Sequence, residues 1–71
     1  MKELDKLRVL IPHWIEHNNE HAQEFNRWAE QAGAAAPDIL AAAEAMLDTN
    51  KSLKKALEKL GGPLEIHHHN H

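Results

Sequence analysis

The chain has no cysteine and no tyrosine, and only three aromatic residues besides histidine: two Trp and one Phe. Without cysteine, disulfides, iron–sulfur clusters and thiolate zinc sites are excluded. Its two methionines, Met1 and Met46, are too few and too far apart for soft-metal chemistry. Cationic excess is missing too. Eight Lys and Arg stand against eleven Asp and Glu, a formal charge of −3, whereas nucleic-acid binding depends on neutralising phosphates. No apolar run approaches the roughly 20 residues needed to span a bilayer. The opening MKELDKLRVLIP is charged and periodic, unlike a secretory leader, so membrane insertion is not expected and the cytoplasm is the expected location. Seventy-one residues make one small domain at most. A single core of that size usually needs a staple or a partner.

What the chain does have is histidine. All seven fall in two clusters, 13–21 and 67–71. Between and around them the three glycines and three prolines punctuate the sequence: Pro12, then AGAAAPD at 32–38, then GGP at 61–63. The segments between read as amphipathic helices. In the first, Leu4, Leu7, Ile11, Trp14, Asn18, His21, Phe25, Trp28 and Ala32 step by three and four. Pro12 would remove one of its hydrogen bonds, so the expectation is a short N-terminal helix broken or kinked there. A main helix then runs from about residue 12 to 33, with Gly33 as its C-cap. In the second helix the stripe is Ile39, Ala43, Met46, Asn50, Leu53, Leu57 and Leu60. Pro37 and Asp38 suit its first turn, lysines its last half, and Gly61, Gly62 and Pro63 its end.

A short connection between two such helices makes an antiparallel hairpin. The predicted fold is therefore all-α: a hairpin over residues 1–62 and a His-rich tail over 63–71. With the turn near 34–35, facing residues have numbers summing to about 69. Asn18 then meets Asn50 on the seam, where the two amides either hydrogen-bond and fix register or rotate to the edge. A lone hairpin leaves apolar surface wet, and a homodimer forming a four-helix bundle is expected to cover it.

His13, His17 and His21 are four residues apart, and residues so spaced stack along one side of a helix, drifting about 40° per step. Glu16, Glu20 and Glu24 form a neighbouring ladder. Two imidazoles four apart can chelate a divalent ion, with a carboxylate completing or orienting the set. In the absence of thiolates the chemistry suits zinc or nickel, and also cobalt or copper(II). The plainer alternative is a solvated helix face whose Glu and His residues only hydrogen-bond one another. HWIEH and HNNEH also match H-x-x-E-H, an inverted zinc-protease motif. Two overlapping copies in a chain too small to enclose a peptide do not make a protease, and no enzyme activity is expected.

The ending LEIHHHNH is interrupted by Asn70, unlike an unbroken purification tag, which favours natural origin. His-rich tracts bind divalent metals by composition alone; otherwise such a tail is a solvated end. From Gly61 the tail spans at most about 35 Å, and Leu7 to His21 along a helix is about 21 Å. His67, His69 or His71 can therefore reach His13 and His17. The strings LIPHWIEHNNEHAQEFNRWAEQA and LGGPLEIHHHNH together resemble a family of very short uncharacterised helical proteins from anaerobic prokaryotes. That resemblance covers most of the chain and implies a helical hairpin, with no established activity.

The expected function is binding of a divalent transition metal for sequestration, delivery or sensing. His13, His17, His21, His67, His68, His69 and His71 would be its ligands, and Glu20 and Glu24 secondary ligands. A metal-trafficking protein is then a natural partner. The rival is a helical interaction module docking through its Trp and Leu stripe, with no specific metal site. A weaker third reading is catalysis at an open metal position, for which the sequence offers no substrate pocket.

Overall fold

In the computed structural model residues 2–64 are described. Two helices joined by a tight turn account for nearly all of them: α1 (Glu3–Ala29), a single turn of 3-10 helix (Gly33–Ala35) and α2 (Ala36–Leu60). The two long helices pack against each other as the expected antiparallel all-α hairpin. Charges follow the helix dipoles, with Glu3 and Asp5 in the first turn of α1, Asp38 in the first turn of α2 and Lys59 in its last. No helix among the described residues is long and apolar enough to cross a membrane.

Neither the break expected at Pro12 nor the helix end expected near Gly33 is found. Pro12 lies inside α1, which runs unbroken from Glu3 to Ala29. Proline has no N–H, so the carbonyl of Arg8 four residues earlier loses its intrahelical donor. The amide of Leu64 donates to that carbonyl at 3.2 Å, so a distant segment replaces the missing bond. The helix also ends at Ala29 rather than near Gly33. The amides of Gln31 and Ala32 donate to the carbonyls of Trp28 and Ala29, three residues back. This tightens the end, and Gly33, at φ 57°, then turns the chain into α2.

The seam of α1 keeps Leu7, Ile11, Asn18 and Phe25 of the expected stripe, but Ile15, Ala22 and Ala29 take the places of Trp14, His21 and Trp28. Ile11, Ala22 and Ala29 are buried, and Ile15, Asn18 and Phe25 are half-buried, again in steps of three and four. Trp14, His21 and Trp28 lie outside it and are exposed. Alanines are the reason. Ala22 and Ala29 on α1 and Ala43 on α2 are all at most 3% exposed, and small side chains let helices approach closely in a way that an indole would block. On α2 the seam is the expected one: Ile39, Ala43, Met46, Asn50, Leu53, Leu57 and Leu60 are the buried or half-buried positions after Ala36.

Register is held in the middle of the seam by an amide cluster. Asn50 is only 4% exposed. Its Nδ2 donates to the Ile15 carbonyl at 3.2 Å and to Asn19 Oδ1 at 2.9 Å. Its Oδ1 accepts from Asn18 Nδ2 at 3.0 Å. Both protons and one lone pair are thus used, which offsets the cost of burying the amide. Of the two alternatives for Asn18 and Asn50, the hydrogen-bonded one holds.

Candidate metal centre

The rise of an α-helix places His13, His17 and His21 about 6 Å apart along α1. All three are exposed, as are Glu20 and Glu24, because the seam takes other positions of α1. His21 is the correction here: the sequence stripe places it against α2, yet its side chain keeps about half its surface in solvent. It does lie beside Phe25, with ring centroids 6.3 Å apart.

Two of the three ladder positions carry a close carboxylate. His17 Nδ1 is 3.7 Å from Glu20 Oε1, and His21 Nδ1 is 3.9 Å from Glu24 Oε1. Both are too long for hydrogen bonds. They are close to another distance. Two ligands on one tetrahedral zinc, with bonds of roughly 2.0–2.2 Å, sit about 3.3 Å apart. A side-chain adjustment of about half an ångström would therefore bring either pair onto one ion. Each pair is exposed to water, so the attraction between an imidazolium and its carboxylate contributes little to stability.

A pair is not a site. Among the described residues, no three His, Asp or Glu side chains converge on one point. A complete coordination shell needs ligands from elsewhere. The remaining candidates, His67, His68, His69 and His71, lie outside the described residues. An open cleft of about 470 Å³ lies near the turn, but Asn26, Pro37, Leu40, Ala41, Ala43, Glu44 and Leu47 line it, and no histidine does.

The segment leading into the tail is fixed more firmly than sequence reasoning anticipated. Gly61, at φ 107°, caps α2, and the amide of Gly62 donates back to the Leu57 carbonyl at 2.9 Å. Arg8 then reaches across from α1. Its Nε donates to the Gly62 carbonyl at 2.7 Å and its Nη2 to the Gly61 carbonyl at 3.3 Å, while Asp5 lies 3.8 Å from Nη1. A cation on the last carbonyls of a helix is favoured by the dipole. None of Arg8, Gly62 or Leu64 stood out in the sequence as a positioning group. Pro12 was the available signal, since a proline inside a helix always leaves a carbonyl four residues back in need of a donor.

The family model described as "Domain of unknown function (DUF8180)" matches residues 7–60, a span that holds the ladder, all of α2 and α1 from Leu7 onward, and stops before Gly61. An uncharacterized protein of Archaeoglobus fulgidus is 34% identical over 62 residues, covering 82% of this chain and 100% of the relative. No solved structure matches. The resemblance to short helical proteins of no established function is borne out.

Proposed function

This chain belongs to the DUF8180 family, and we propose that it binds a divalent transition metal, zinc or nickel in the first instance, for sequestration, delivery or sensing. The observation that carries the reading is the repeated pairing on α1: His17 with Glu20 and His21 with Glu24, each imidazole nitrogen within 4 Å of a carboxylate oxygen. Nitrogen and oxygen donors without thiolate suit zinc, nickel, cobalt and copper(II). The ladder supplies two or three ligands, and tail histidines complete the shell. Exposure of the ladder suits exchange with a trafficking partner rather than permanent burial of an ion. No catalytic step is assigned.

The reading extends to a homodimer. Among the described residues each long helix packs against one other, and Leu40 and Leu47 on α2, with Trp14 and Trp28 on α1, remain substantially exposed. A second hairpin laid across the Trp14 and Trp28 side gives a four-helix bundle and withdraws those indoles from water. Sedimentation checks this, with twice the 8.0 kDa chain mass expected.

A second reading is favoured by Trp14 at 43% and Trp28 at 58% exposure: a module that docks another protein through these indoles, the histidines adding only pH-sensitive charge. Calorimetric titration with Ni²⁺, Zn²⁺ and Co²⁺ separates the two. The metal reading expects one specific site, weakened by His13, His17 and His21→Ala together and by truncation after Leu64. Unchanged stoichiometry and affinity in both variants contradicts a folded site. An effect of truncation alone makes the tail a nonspecific chelator.

A further inference from the structure

The two broad sides of the hairpin are unlike. The cleft near the turn shows which positions share a side: Asn26 comes one residue after Phe25 of the seam, and Leu40 and Leu47 one residue after Ile39 and Met46. Positions just after the seam therefore lie together, and positions just before it lie together on the other side. The side after the seam carries Glu16 and Glu30 on α1, and Glu44, Lys51, Lys54 and Glu58 on α2. Covering it with another protein would take those charges out of water at a cost. On the side before the seam, α1 presents Leu10, Trp14, His17, His21 and Trp28, with Glu24 the only formal charge among them. Beside that ridge, α2 presents only small side chains, Ala42, Ala45, Thr49, Ser52 and Ala56, all exposed.

We propose that this side is the interface with a second copy of the chain, and that each ridge seats in the partner's groove. In that arrangement α1 of one hairpin lies on α2 of the other, about a two-fold axis parallel to the helices. The inference rests on the homodimer reading and deepens it. Rotation about such an axis keeps every residue at its own level along the hairpin. The seam sets Asn50 against Asn18 and Asn19, and counting outward from there fixes the other levels. Trp14 then lies opposite the partner's Ala56, Trp28 opposite the partner's Ala42, and His21 opposite the partner's Thr49. Indole meets alanine at both ends, and imidazole meets hydroxyl between them. Large against small across facing helices lets two layers interdigitate without a void. A two-fold axis across the helices would instead stack ridge on ridge and leave the alanines facing a gap. His13 and Glu20 stand one further residue round α1, outside the interface, so the ladder keeps an open side.

Area and reach favour a second copy as the occupant. Two helices about 38 Å long and about 10 Å wide present a face of roughly 750 Å², close to the ~800 Å² per partner of a stable complex. The buried apolar residues among those described are Ile11, Ala22, Ala29, Ala43 and Leu57, a core small enough to need a second layer. Residues 65–71 of the same chain cannot cover this side. Leu64 is bonded to the Arg8 carbonyl, Trp28 lies about 30 Å further along α1, and the remaining chain spans at most about 25 Å.

The test combines sedimentation of the full chain with directed crosslinking, which the absence of cysteine makes clean. Ala45→Arg and Ala56→Arg put a long cation into the groove at positions exposed in the hairpin, and arginine is a good helix former. Helicity is expected to hold while the dimer dissociation constant rises more than about tenfold. Leu47→Arg, on the other side, is expected to change it less than about twofold. His21→Cys with Thr49→Cys in one chain adds the geometric readout. Neighbouring helices hold these positions about 8–10 Å apart within a hairpin, too far for a disulfide, so oxidation with diamide should yield a covalent dimer. Neither single variant should crosslink. Crosslinking by Thr49→Cys alone means that α2 lies on α2, and it overturns this arrangement while leaving the dimer. Groove variants that dimerise as tightly as wild type do the same. A wild type that sediments as a monomer overturns the homodimer reading, and this inference with it.

Discussion

The two helices spend their apolar residues differently. On α2 one stripe, from Ile39 to Leu60, is both the most apolar and the one turned to its neighbour. On α1 there are two stripes. Ile11, Ile15, Asn18, Ala22, Phe25 and Ala29 make the seam, while Leu10, Trp14, His17, His21 and Trp28, each one residue before a seam position, form a second line about 100° around the helix. The inner line carries alanine at Ala22 and Ala29, where the outer one carries His21 and Trp28, and the outer line is exposed. Fit decides which side faces the partner helix, because a seam lined by alanine admits a closer approach than one lined by indole. Placing the large rings outside leaves them for other uses, and the histidines share that side.

The largest effect that separates inner from outer is expected at the seam amide. Asn50→Asp leaves a carboxylate facing two acceptors, the Ile15 carbonyl and Asn19 Oδ1, and burial of such a charge should cost more than about 3 kcal/mol near neutral pH. The introduced carboxyl binds its proton more tightly folded than unfolded, so the loss should shrink as pH falls. Denaturant melts across pH measure both. Next comes Ala22→Leu, which overfills a fully packed position on the seam and should cost about 2 kcal/mol in the same assay.

On the outer line the order reverses. Trp14→Ala and Trp28→Ala should change the stability of the isolated hairpin by no more than about 0.5 kcal/mol, yet convert a dimer to a monomer in sedimentation. His17→Ala should be smallest of all in stability, within about 0.5 kcal/mol, while removing most metal affinity. A seam variant that spares stability, or an outer one that destroys it, would erase the distinction between the two lines.

How much of this was legible in the sequence depended on where the deciding partner lay. The α2 stripe was readable because its apolar residues coincide with its buried ones. The Asn18–Asn50 contact followed from counting outward from the turn. Asn19 did not, since it lies off the stripe and is recruited by the second proton of the Asn50 amide. The α1 seam was right at Ile11, Asn18 and Phe25 and wrong between them, because hydrophobic bulk pointed to Trp14 and Trp28, whereas Ala22 and Ala29 offered little bulk. Pro12 suggested a break because its consequence is local, but its remedy is not: the donor that relieves Arg8 comes from Leu64 at the far end of the hairpin. The ladder itself was plain from spacing alone. Its carboxylate pairs were anticipated in kind, and their separations were not.

The central claim is that the histidine ladder holds a metal ion. Anomalous diffraction at the zinc edge, from crystals of the full chain grown with Zn²⁺, tests it most directly. The account predicts a peak within about 2.1 Å of imidazole nitrogens from the α1 ladder, with tail histidines completing the shell. A well-ordered ladder with no anomalous peak, or a peak bound by the tail histidines alone, would contradict it.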